Sequence, residues 1–119
     1  MPALTWRDVC RIGSTFPGVV ESTSYGTPAL KVRGKLLVRL REDRETLVLI
    51  TSFINRDLLL RDKPKTFFTE EHYRDYPAIL TRLSRIGPKQ LRDMIEAAWR
   101  PHAPKTARGS RPVARRAGK

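Results

Sequence analysis

From Ala29 to Ile50 the chain alternates between apolar and polar positions. Leu30 and Val32 are interleaved with Lys31 and Arg33; beyond Gly34-Lys35, Leu36, Val38 and Leu40 are interleaved with Leu37, Arg39 and Arg41. A period of two sends one set to a buried face and the other toward water, as a half-buried strand requires. Arg33-Gly34 or Gly34-Lys35 supplies the glycine that a two-residue hairpin turn needs. Glu42-Asp43-Arg44-Glu45 forms a second, charged turn, and Thr46 to Ile50 a third strand. In this register Lys31, Arg33, Arg39, Arg41 and Arg82 share the face away from the core, and Leu37, Leu47 and Leu49 lie among them. A slip of one residue would bury the cations, at a cost no core offsets.

Three segments carry helical spacing. Thr5 and Asp8 form a capping pair ahead of Trp6, Val9, Cys10, Gly13 and Phe16, and Pro17-Gly18 ends that helix. Ser52 opens a second helix through Leu58, Leu59 and Leu60, which stops before Pro64. Gly87-Pro88 opens a third, in which Leu91, Met94, Ile95, Ala98 and Trp99 fall on one stripe that reads as core. Val19 to Tyr25 has room for a short strand, broken by Gly26-Thr27-Pro28. Thr66 to Thr69 and Ala78 to Ile86 read as two more, separated by the polar, aromatic loop EEHYRDYP. The expected order is α-β(3)-α-β(2)-α. Strands joined by short turns make the sheet mainly antiparallel, and three helices cover one of its faces, giving a two-layer α+β domain.

Composition separates a body from a tail. The chain has 119 residues and a formal net charge of +12. Residues 101–119 hold Lys105, Arg108, Arg111, Arg115, Arg116 and Lys119 and no acid, which leaves +6 for residues 1–100. We expect a folded domain over residues 1–102 and a disordered basic tail over 103–119, since the latter has too little apolar surface to offset chain ordering. Within it, Arg108-Gly109-Ser110-Arg111-Pro112 resembles a minor-groove R-G-R-P core interrupted by a serine.

Several chemistries find no support in the residues. Cys10 is the only cysteine, so no internal disulfide or thiolate cage forms, and its place on an apolar helix face reads as core. His72 and His102 are the only histidines and have no ligand spacing, so no metal is expected. No glycine pattern fits a phosphate loop and no G-x-S-x-G elbow occurs, so no cofactor and no catalytic residue are assigned. Glu70, Glu71 and Asp75 near His72 could form an acid/base pair; a solvated turn whose aromatics pin the loop to the sheet is the simpler reading. The N-terminus lacks the apolar run of a signal peptide, and no stretch approaches the length of a membrane span. A cytoplasmic location is expected.

FPGVVESTSYGTPALKVRGKLLVRL, then FFTEEHYRDYPAILTRL and PKQLRDMIEAAWR, together resemble the MmcQ/YjbR-like family over most of residues 5–104. The features that carry the resemblance are Pro17-Gly18, Gly26-Thr27-Pro28, the hairpin Lys31-Val32-Arg33-Gly34-Lys35, and the closing Ala98-Trp99. It implies a fold like that of the frataxin homologue CyaY and of type III secretion chaperones, α-β(3)-α-β(2)-α. It also implies DNA binding through a "double wing", itself an inference from fold. Many members carry Asn-Lys-x-His-Trp before the last strand; here His72-Tyr73-Arg74-Asp75-Tyr76-Pro77 stands there.

A basic body with a more basic tail points to a polyanion. The expected function is non-enzymatic, low-specificity binding of nucleic acid, double-stranded DNA first. The cations assigned to it are Lys31, Arg33, Lys35, Arg39, Arg41 and Arg82 in the body, and Lys105, Arg108, Arg111, Arg115 and Arg116 in the tail. The alternative is an adaptor that uses the uncovered sheet face for a protein, a ligand or a second copy of the chain. An enzyme built around His72, Tyr73 and Tyr76 is the third, weaker reading.

Overall fold

The structure, a computed structural model, describes residues 3–103. The basic tail lies outside the described residues, except that Ala103 is fully buried in the core, so the folded part runs at least that far. The elements in chain order are α1 (Trp6–Gly13), β1 (Val19–Ser24), β2 (Thr27–Val32), β3 (Lys35–Leu40), β4 (Thr46–Ile50), α2 (Phe53–Asp62), β5 (Phe67–Phe68), β6 (Ala78–Arg82) and α3 (Pro88–Trp99). The α+β class follows as expected. The short segment from Val19 is a full strand, so four strands precede α2 instead of three.

The sheet has the order β1-β2-β3-β4-β6-β5, and every neighbouring pair is antiparallel. Tight turns set its first half. Tyr25-Gly26 and Arg33-Gly34 have positive φ at both residues, 53° and 77° in the first pair, 52° and 78° in the second. That geometry matches the twist of the flanking strands and settles the hairpin on Arg33-Gly34. Pro28 does not break the chain; it pairs with Thr23 inside β2, beyond the end of the β3 ladder at Ala29. With no β3 partner there, its missing N–H leaves no gap.

One irregularity changes which side chains face the helices. Leu30 pairs with Val38 but Lys31 pairs with Leu36, so Leu37 is an extra residue in β3. A bulge of this kind re-aims the side chains around it. Leu37 and Val38 both enter the helix-side core, whereas Leu36 lines the opposite face. Strict alternation had put Leu36 with Val38 and Leu37 with the cations. Leu47 and Leu49, also expected on the cationic face, are fully buried under the helices. Strand β4 is apolar after Thr46, so its period says nothing about which side is which.

The helices close on that core with local devices. Thr5 and Asp8 form a reciprocal capping box at the start of α1, and the Ser52 hydroxyl accepts from the Asn55 N–H at 3.1 Å. Val9, Ile12, Leu91, Met94, Ile95 and Trp99 pack on Leu30, Val38, Leu40, Leu47, Leu49 and Ile79. The Trp99 indole N–H donates to the Pro17 carbonyl at 2.8 Å, tying the last helix to the connection between α1 and β1. Cys10 is half-buried against this core, and burial pushes its thiol up from the ordinary 9.0, which suits a packing role.

The β3–β4 turn depends on one carboxylate. Asp43 accepts from the Glu45 N–H at 2.9 Å, the Thr46 N–H at 3.0 Å and the Thr46 hydroxyl at 2.8 Å. Partial burial, the largest single influence, raises its pKa, but these bonds and the Arg41 charge outweigh it and hold the group below 3.8.

Two outcomes are expected. Leu91→Ala empties a fully buried site under the sheet and should lower the unfolding free energy by about 2–5 kcal/mol in a denaturant titration. Because the folded-state pKa of Asp43 is depressed, its contribution is complete above the ordinary carboxylate range and is lost as pH falls through the folded value. Stability followed by circular dichroism should therefore decline as pH drops below about 4, and Asp43→Asn should reduce that decline while lowering stability at neutral pH.

Candidate functional site

The second face of the sheet is not bare. The segment after β5 makes a 3-10 turn at Glu71–Tyr73 and folds back over β4 and β6. Val48, Tyr73, Ala78 and Leu80 form a second, smaller apolar cluster there, with Ile50 and Phe68 packed on it. The loop is pinned from the side by α2: Arg56 Nη1 donates to the carbonyls of Tyr73, Arg74 and Tyr76 at 3.2, 2.9 and 3.2 Å. Arg56 Nε is buried, with the Asp57 carboxylate at 3.6 Å, just outside hydrogen-bond reach. Nothing in the spacing of α2 marked Arg56, because the carbonyls it holds are some twenty residues further on.

This loop determines what becomes of the cations beneath it. Arg39, expected to face solvent, is only 6% exposed. Its guanidinium donates to the Thr27 hydroxyl at 2.9 Å and to the Tyr73 hydroxyl at 3.2 Å. The nearest carboxylate, Glu42, stands 3.9 Å away and is mostly exposed. The ring of Tyr25 lies 5.2 Å from the guanidinium centre. Around these groups is a pocket of about 460 Å³ lined by Tyr25, Leu36, Arg39, Glu42, Val48, His72, Tyr73 and Tyr76. That volume lies within the usual range for small-molecule sites.

The other assigned cations are dispersed. Arg41 is paired with Glu70 at 3.2 Å, which raises its already high pKa chiefly through that hydrogen bond. Arg82 is exposed but lies over the Phe68 ring at 4.3 Å. Lys31 is half-buried, and Arg33 and Lys35 are exposed at the β2–β3 turn. Arg33 and Lys35 line a shallow hollow with Pro101 and His102, at the end of the described chain. The far end of β3, where Arg41 and Arg82 sit, is about 17 Å away by strand rise. The body cations therefore do not form one basic face: the hairpin tip is one group, the Arg41–Arg82 end another, and Arg39 is buried between them. Lys105, Arg108, Arg111, Arg115 and Arg116 lie outside the described residues.

Of the acids near His72, Glu70 pairs with Arg41 and Glu71 with Arg74. Among the described residues no three His, Cys, Asp or Glu side chains gather as a metal site would need, and no helix is long and apolar enough to cross a membrane. Sequence reasoning missed Tyr25, Thr27, Glu42 and Arg56. The one signal available for Tyr25 and Thr27 was their place on either side of Gly26, next to a strand whose cation they meet.

These features define a two-layer α+β domain with an open antiparallel sheet, helices on one side and a loop-covered pocket on the other. A family model described as YjbR matches residues 14–101, and the chain belongs to that family. It is 32% identical to uncharacterized proteins of Mycobacterium bovis and of Mycobacterium tuberculosis, over 85% of this chain and 90% of theirs. A crystal structure of a Deinococcus radiodurans protein with a DUF419 domain superposes with a TM-score of 0.68 at 15% identity, covering 83% of this chain and 78% of that one. That likeness concerns the fold.

Arg56→Met keeps the aliphatic stem and removes the donors to three carbonyls. It should speed amide exchange across residues 70–77 well beyond the change in β1–β3, and cost about 1–3 kcal/mol of stability. Uniform exchange across both regions would show that the loop is held by other means.

Proposed function

We propose that the protein is a non-enzymatic nucleic-acid-binding protein that holds duplex DNA through its charge, with little sequence preference. The observation that carries this reading is the position of Arg33 and Lys35. Both are exposed, and they flank Pro101 and His102, where the chain passes into an acid-free segment with six further cations. A hairpin tip and an adjoining basic segment can neutralise neighbouring phosphates together. The net charge of +12 supports the same partner. Arg39 is not part of this surface, being buried, and Arg41 is already paired.

The test is a salt series of duplex-binding measurements by fluorescence anisotropy. Each neutralised phosphate contributes roughly 0.9 to the slope of log K against log salt. Removing residues 104–119 should flatten the slope by several units, and Arg33→Ser with Lys35→Ser by about 2, with thermal stability unchanged in both. Absence of binding by the full chain at low salt would remove the proposal. A slope untouched by the double replacement would remove the folded domain from it.

A further inference from the structure

The pocket under the 70–77 loop is independent of the hairpin tip and has a chemistry of its own. Its polar floor is Arg39, with a side chain 7% exposed. A buried guanidinium is costly unless acceptors surround it. Here its hydrogen bonds among the described residues go to two neutral hydroxyls, Thr27 and Tyr73, while the Glu42 carboxylate stays at 3.9 Å and reaches into solvent. The site thus holds a fixed, incompletely neutralised positive charge facing an open cavity. The rest of the lining is flat and largely apolar: Tyr25, Tyr73, Tyr76, the His72 ring, Leu36 and Val48.

Tyr25 stands at the mouth of this pocket. It is 84% exposed, its φ of 53° belongs to a region that favours glycine, and its ring nevertheless lies against Arg39. A large ring that keeps most of its surface open while it meets Arg39 leaves a face free for an occupant of the pocket. Charge narrows the occupant. One guanidinium with a carboxylate at its rim suits a single negative charge and disfavours a phosphate dianion. Guanidinium matches the two oxygens of a carboxylate.

We propose that this pocket binds a small monoanionic aryl carboxylate, its carboxylate on Arg39 and its ring against the tyrosines.

The experiment titrates the full chain, followed by amide and side-chain NMR, with benzoate and indole-3-acetate, and in parallel with benzamide, indole-3-acetamide and inorganic phosphate. At least one carboxylate should saturate with a Kd of about 1 mM or tighter, with shifts centred on Tyr25, Arg39, Tyr73 and Tyr76. Its amide should bind at least about tenfold more weakly, and phosphate should give no saturation at this site. Arg39→Met should abolish binding. Two variants keep the test decisive even if that one fails to fold. Tyr25→Gly, which suits the turn, should weaken binding about five- to tenfold. Glu42→Gln, which removes the competing charge, should tighten it several-fold. The proposal is overturned if neither carboxylate saturates by about 10 mM, if the amides bind as well as the acids, if phosphate is the preferred anion, or if binding is indifferent to both Tyr25→Gly and Glu42→Gln.

Discussion

A guanidinium folded beneath a loop has to be given acceptors, and the second face of this sheet is arranged around that requirement. Arg39 sits near the end of β3 and meets a hydroxyl from β2 and another from the loop before β6. The two acceptors come from segments far apart in sequence, so satisfying one charge joins the first hairpin to the last part of the sheet. Arg56 does the corresponding work from the side, since its bonds to three loop carbonyls keep the Tyr73 oxygen where Arg39 needs it. If the loop were to lift, Arg39 would exchange the Tyr73 hydroxyl for water and keep Thr27. Kept under the loop without the Tyr73 hydroxyl, the same charge would lack an acceptor, which is strongly destabilising for a buried group.

The fold itself was legible because its signals are local. The capping pairs, the stripe of α3 and the Arg33-Gly34 turn each depend on a few neighbouring residues and stand where the sequence places them, whereas α1 ends at Gly13, ahead of Pro17-Gly18, and Thr27-Pro28 opens β2 instead of breaking the chain. Leu37 was not legible. A bulge is set by how two strands twist against a core, and no residue near Leu36 or Leu37 announces it. Its effect was to reverse the side assigned to both leucines while leaving Val38, Arg39 and Leu40 as the alternation had them. Strand β4 failed for a different reason: with both faces covered, five apolar or β-branched residues in succession carry no phase.

The cations show the limit of periodicity more sharply. Arg39, Arg41 and Arg82 look alike in sequence, as basic residues on the solvent phase of a strand. The structure gives them three different environments: two buried hydroxyls, an ion pair with Glu70, and the face of Phe68. What distinguishes them is long-range contact, largely with the segment between β5 and β6. Alternation can say that a side chain points away from the helices; it cannot say whether water lies there. By contrast Arg33 lies in, and Lys35 directly after, a tight turn at the sheet's end, and a turn placed there from sequence exposes both directly.

The loop between β5 and β6 also supplies the acceptor that Arg39 needs, at Tyr73. An indole offers only a donor, whereas a phenol oxygen also accepts. A guanidinium donates and never accepts, so the Tyr73 hydroxyl can satisfy Arg39 in a way that tryptophan could not. The Tyr73 phenol in the loop and the buried arginine on β3 therefore belong to one arrangement, even though 34 residues separate them. With that bond made, Arg39 can be held at the floor of a pocket instead of being turned out to solvent, and the same side chain that a strand pattern assigns to a polyanion-binding face becomes the centre of a different site.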